Sequence, residues 1–244
     1  MIWGKSSLKK KKMKQYIRES SREAKKRQEH YTIFGDIDVF IKDALPDNID
    51  VRTVLSDIQA TIPTPFSKNL DIIYIGDFDH LNDRDIDAVY DSGAIYLTNN
   101  QDDNQDMIDD IVHEISHLVE ENHSNDIYGD DAIEMEFIAK RIALKRILES
   151  HGYNMSFYNF TNLDFSHDLD HFFYDTVGYP KLNKFVMGLL VSSYAATSLR
   201  EYFASGFEEY YLGDRRTLLQ VSPKLYDKID QLNQRETEYE RNKL

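Results

Sequence analysis

The sequence predicts an α+β fold: a small mixed or antiparallel sheet packed on one long apolar-faced helix, with a mainly helical C-terminal part. Three observations predict it. Short β-type runs at 70–76, 88–90 and 93–98 all precede residue 104. Apolar residues then recur at helical spacing from Met107 to Leu148 and again around Glu201 and beyond Pro223. The composition, 41% hydrophobic and 12% aromatic over 244 residues, suffices for a core.

Residues 1–30 carry eleven Lys or Arg against three Glu, a net +8 that leaves about −22 for the rest of a chain whose total is −14. With Lys9-Lys10-Lys11-Lys12 and Lys25-Lys26-Arg27, this stretch reads as a basic arm, helical or disordered, ahead of a single domain over 31–244. Residues 31–60 read as a helix pair, or a helix and a loop, on Ile33, Val39, Phe40, Ile41 and Leu45 and then Val51, Val54, Leu55 and Ile58. Pro63 and Pro65 break that pattern. The run Leu70-Asp71-Ile72-Ile73-Tyr74-Ile75-Gly76 is a buried strand. Asp77, Asp79, Asp83, Asp85 and Asp87 form a solvated loop without the ordered spacing of a calcium loop.

Residues 88–90 and 93–98 pair as a hairpin around Asp91-Ser92-Gly93. Its second arm is either a cleft-edge strand able to pair with an extended peptide or an ordinary member of the sheet. Met107, Ile108, Ile111, Val112, Ile115, Leu118 and Val119 share one helix face, with Asp102, Asp103 or Asn104 to cap its start. A second helix covers 132–148 and ends at Gly152. Residues 153–180 are rich in aromatics and His, and Pro180 opens a further apolar segment. Gly213 ends the helix that carries Glu201, and Pro223 starts a last amphipathic helix through Leu225, Tyr226, Ile229 and Leu232.

The absence of cysteine excludes disulfides, thiol catalysis and thiolate metal sites, so any zinc must use His and carboxylate ligands. A strongly acidic body disfavours nucleic acid as a partner, except through the basic arm. No membrane span or signal peptide is apparent. The expectation is therefore a cytoplasmic protein, or one carried in a virion or delivered as an effector.

Inside the apolar helix stands His113-Glu114-Ile115-Ser116-His117. Residues four apart lie one turn apart on one helix face, so the two imidazoles can grip one zinc ion. Glu114 stands beside them as a base for metal-bound water. A catalytic zinc takes three protein ligands and keeps one open position. His123, six residues after His117, has metzincin histidine spacing, but Glu120 stands where those proteins need a turning Gly. Glu134 and Glu136 lie on the next helix, where a thermolysin-like ligand would come from. His167-Asp168-Leu169-Asp170-His171 repeats the one-turn His spacing with Asp in second place, and reads as a local polar patch. Glu201 is a fourth candidate, and the others stay open on spacing alone.

The segment Tyr194-Ala195-Ala196-Thr197-Ser198-Leu199-Arg200-Glu201-Tyr202-Phe203-Ala204-Ser205-Gly206-Phe207 resembles the equivalent segment of the anthrax lethal factor catalytic domain and its relatives. The shared pattern is a Tyr, seven residues to a ligand Glu, an aromatic-Phe-Ala run and a further Phe, with Thr197 also matching. Ser222-Pro223-Lys224-Leu225-Tyr226-Asp227-Lys228-Ile229 looks like the closing helix of that domain. With the His113–His117 motif, the resemblance spans roughly residues 70–232. It implies a zincin-like fold of the gluzincin type, holding one Zn²⁺ per chain by His113, His117 and Glu201. It also implies that Glu114 is the catalytic base and Tyr194 the oxyanion stabiliser. The chain departs from the pattern in the long gap between His117 and Glu201, where residues 150–190 read as an insertion.

The expected activity is a zinc endopeptidase acting on an extended protein or peptide substrate. The other expectation is a structural component of a larger assembly, such as a phage virion, anchored by the basic arm.

Overall fold

The computed structural model describes residues 30–84 and 86–243. The basic arm up to residue 29 and Asp85 of the acidic loop lie outside the described residues. The architecture is α+β. Strands β1 (His30–Ile33), β2 (Ile37–Ile41), β3 (Ile72–Ile75), β4 (Ala88–Asp91) and β5 (Ala94–Leu97) form one mixed sheet in the order β1-β2-β3-β5-β4. The two outer pairs, β1–β2 and β5–β4, are antiparallel, and the central β2–β3 and β3–β5 pairs are parallel.

The segment read as a helix pair or helix and loop is instead the β1–β2 hairpin, followed by helix α1 (Val51–Thr61). Ile37, Val39 and Ile41 are buried on one face while Asp38 is exposed. That period of two is a strand pattern, which the adjacent apolar Phe40 obscures. Phe34 and Gly35, both at positive φ, turn the chain between the strands. In α1, Val51, Val54, Leu55 and Ile58 are buried at helical spacing, and the Asp50 carboxylate accepts from the Arg52 and Thr53 N–H groups.

The strand at 70–76 and the hairpin at 88–98 form as the sequence predicts. Alternation puts Ile73, Ile75, Ile95 and Leu97 on the covered face. On the other face, Phe40, Tyr74 and Tyr96 make a cross-strand ladder, with Tyr74 and Tyr96 stacked at 5.4 Å. After β3, Asp79–Asn82 makes a single helical turn, α2, and Asp77, Asp79, Asp83 and Asp87 are exposed. Strand β5 pairs on both sides, so it is an interior strand, and β4 holds the sheet edge.

Helix α3 (Asn104–Tyr128) carries the histidine motif, and Asp103 caps it by accepting from the Gln105 and Asp106 N–H groups. Its apolar face packs on β4, β5 and α1. Helix α4 (Ala132–Ser150) follows. The chain then runs through α5 (His167–His171), a π-helical turn at Phe172–Val177 and α6 (Tyr179–Val186). Two buried cations hold this stretch down. Lys140 Nζ donates to the carbonyls of Leu189 and Val221, and Arg141, fully buried between Phe137 and Phe160, donates to Asn162 and Asn159.

A 3₁₀ turn at Tyr194–Ala196 leads into α7 (Leu199–Tyr211), then α8 (Arg215–Val221) and α9 (Pro223–Lys243). The most extensive contact between elements is α3 against α7. Helix α9 supports α7 from behind through Gly206, where a Cβ would collide with the Leu225 side chain. No helix among the described residues is long and apolar enough to cross a membrane.

Candidate metal centre

The packing of α3 on α7 brings together residues some ninety positions apart. His113 and His117 project from the same face of α3 with ring centroids 4.9 Å apart. Ser198 caps α7 by accepting the Glu201 N–H, which sets Glu201 in the first turn of that helix. Its Oε2 then lies 3.0 Å from His113 Nε2 and 3.8 Å from His117 Nε2. Glu114 is buried, and its Oε2 accepts the Tyr90 main-chain N–H at 2.5 Å. Ligand atoms of His113, Glu114 and His117 lie within 4.8 Å of one another, close enough to hold a metal ion.

Two carboxylates therefore approach the imidazole pair. The Glu201 oxygen faces the Nε2 atoms of both histidines, whereas one Glu114 oxygen is tied to the edge strand β4. Glu201 thus faces both Nε2 atoms, whereas the group whose ligand atoms all lie within 4.8 Å of one another is His113, Glu114 and His117. Two imidazoles and a carboxylate suit zinc.

Burial penalises a charged His113, but hydrogen bonds to Glu201 and Glu208 and the charges of both outweigh it, so its pKa stands well above the ordinary value. Burial works against the Glu201 carboxylate too. There the hydrogen bond from His113 and the nearby His117, His113 and Arg200 charges prevail, and its pKa is lowered.

Tyr194 sits at the mouth, its ring centroid 6.2 Å from that of His113. No continuous helix joins it to Glu201, because the chain passes from the 3₁₀ turn through the extended cap residue Ser198. The two meet across that corner rather than along one helix face. Burial, and then the Glu201 charge, raise the Tyr194 pKa, so the phenol keeps its proton at neutral pH. Tyr194, Arg200 and Glu201 open onto a cleft of about 1330 Å³, whose far wall includes His167, Asp168, Asp170 and Tyr179 from the 150–190 segment.

The other sequence candidates lie elsewhere. His123 is 3.0 Å from Arg235 Nη2 and lines a separate groove, at a kink where α3 loses helical geometry. Glu136 accepts from the Tyr202 hydroxyl and from the Lys224 and Leu225 N–H groups, so it caps α9. Glu134 is half-buried in the first turn of α4, where its charge acts on Tyr128. His167 and His171 belong to the cleft wall, with His171 paired to Asp175 at 3.0 Å.

Four groups around the centre escape sequence reasoning. Glu208 Oε1 contacts His113 Nδ1. Arg200 Nε donates to His117 Nδ1 at 3.0 Å, and Glu120 Oε2 lies 3.6 Å from the same nitrogen. Tyr90 contributes only its main chain. Glu208 was findable, since it follows Glu201 by two helical turns on the same face. A main-chain donor leaves no residue-type signal. Comparison of the chain with known protein families, with curated proteins and with solved structures gives no match.

Proposed function

We propose that this protein is a zinc endopeptidase that hydrolyses an extended protein or peptide segment lying in the cleft. The observation that carries the reading is the convergence of His113, His117 and Glu201, with Glu114 buried beside them and tied to the outer strand of the sheet. The likeness of residues 194–207 to lethal factor-type catalytic domains supports the same assignment.

In this reading His113, His117 and Glu201 hold the ion. A zinc ion held there would supply Lewis acidity toward a water and the scissile carbonyl. Glu114 takes the proton from the attacking water and passes it to the leaving amine. Its fixed oxygen, held by the Tyr90 N–H, keeps the carboxylate from swinging away. Tyr194 donates its phenolic hydrogen to the carbonyl oxygen as negative charge grows there. An extended peptide could pair with the outer edge of β4 only through main-chain groups other than the Tyr90 N–H, which Glu114 takes.

The test combines metal analysis with a cleavage assay on a degenerate peptide library read by mass spectrometry. Wild-type protein should carry about one zinc per chain and cut at reproducible sites. Glu114→Gln should retain zinc and lose cleavage. Undiminished cleavage by that variant would remove the mechanism.

A further inference from the structure

His113 meets a carboxylate at each ring nitrogen: Glu201 at Nε2 and Glu208 at Nδ1. His117 differs: its Nδ1 accepts the Arg200 Nε–H at 3.0 Å, an arrangement that leaves the ring proton on Nε2. Ligation by His117 therefore requires Arg200 to give way to the Glu120 carboxylate, 3.6 Å from Nδ1, as acceptor of an Nδ1–H. A neutral imidazole can offer one nitrogen to an ion only if the other keeps the proton, and the acceptor at that second nitrogen decides the tautomer. Glu201 stands on the ion side of His113 and cannot perform this task.

We infer that Glu208 is the positioning residue of the centre: it accepts the Nδ1–H of His113 and so holds Nε2 bare and aimed at the ion. This inference rests on the metal-centre reading above. The seven-residue interval from Glu201 puts both carboxylates on one face of α7. One helix therefore supplies a ligand and also the group that orients another ligand, across the α3–α7 interface. Close contact at Gly206 against Leu225 packs α7 tightly on α9 behind that interface.

The experiment measures Zn²⁺ affinity by competition with a chromophoric chelator, and the visible spectrum of the Co²⁺-loaded protein. Wild type is compared with Glu208→Gln, Glu208→Ala and a control, Glu209→Gln, whose parent carboxylate accepts the Asp214 N–H. The metal-free form of each protein is also checked for its circular-dichroism melting temperature, so that the loss of bound ion does not itself shift it.

Glu208→Ala should bind Zn²⁺ about 100-fold more weakly. Glu208→Gln, whose amide oxygen can still accept, should lose about tenfold. Both should alter the Co²⁺ spectrum at an unchanged melting temperature, and the control should match wild type. Wild-type affinity and spectrum in Glu208→Ala would overturn the inference, as would equal losses in both variants that track a fall in melting temperature. Should the Ala variant not fold, the near-isosteric Gln variant decides alone, and wild-type behaviour there has the same force. A wild-type protein that takes up no ion would instead overturn the metal-centre reading on which this rests.

Discussion

The Tyr90 main-chain N–H donates to the Glu114 carboxylate at 2.5 Å, so the outermost strand of the sheet holds the candidate base directly. Antiparallel pairing with β5 positions that N–H. The Tyr90 ring is buried, and its hydroxyl donates to Glu121 on α3 at 2.8 Å, which ties the strand to the helix a second time. The base is therefore positioned by sheet and helix together.

Glu114→Asp should separate reach from charge. Shortening the side chain by one methylene keeps the carboxylate but breaks its span between β4 and the ion site. Hydrolysis should fall by about 10²–10⁴-fold, the range associated with a displaced general base. Zinc content should stay at the wild-type level by elemental analysis.

Tyr194→Phe removes one hydroxyl at the mouth of the centre. If that hydroxyl donates to a developing oxyanion, kcat should drop about 10²–10³-fold with KM nearly unchanged. A change confined to KM would instead assign Tyr194 to substrate binding.

Asp110, one turn before His113, gives a pH-dependent prediction. Burial pushes its carboxyl up to about 7 from an ordinary 3.8, although the Gln101 side chain donates to it at 3.1 Å. A raised carboxyl pKa means the folded state binds the proton more tightly. The resulting stabilisation is complete below about pH 4 and is lost as pH rises through about 7. Asp110→Asn should thus gain about 1–2 kcal/mol over wild type at pH 8, and little at pH 4, by urea unfolding.

Arg141 tests how the 150–190 segment is held. Arg141→Ala leaves the Asn162 carbonyl without its buried donor and empties the space between Phe137 and Phe160. The cost should be about 2–4 kcal/mol in urea unfolding. Arg141→Met, which refills the volume without burying a charge, should cost less.

Much of the fold was legible because burial leaves a periodic trace. The α3 stripe, the hairpin at Asp91-Ser92-Gly93 and the breaks at Gly152, Gly213 and Pro223 all depend on residues near one another in sequence. The β1–β2 hairpin was not legible, because Phe40 beside Val39 and Ile41 fills an outward position with another apolar residue and hides the alternation. Around the centre, the one-turn spacing of His113 and His117 was plain. The choice of Glu201 over His123, Glu134 and Glu136 came from the resemblance of residues 194–207 and not from pattern, because a helical Glu looks the same in sequence whether it caps α9, as Glu136 does, or faces an imidazole.

By itself, then, the sequence determined the α+β class, the helix that carries the paired histidines and the restriction to nitrogen and oxygen donors. Only the tertiary structure decided which distant carboxylate meets those histidines, that Glu208 backs His113, and that a main-chain N–H secures Glu114. The reason is physical. Local spacing sets the direction of a side chain on its own helix, but the approach of α7 to α3 depends on packing over the whole interface, which no short stretch of residues encodes.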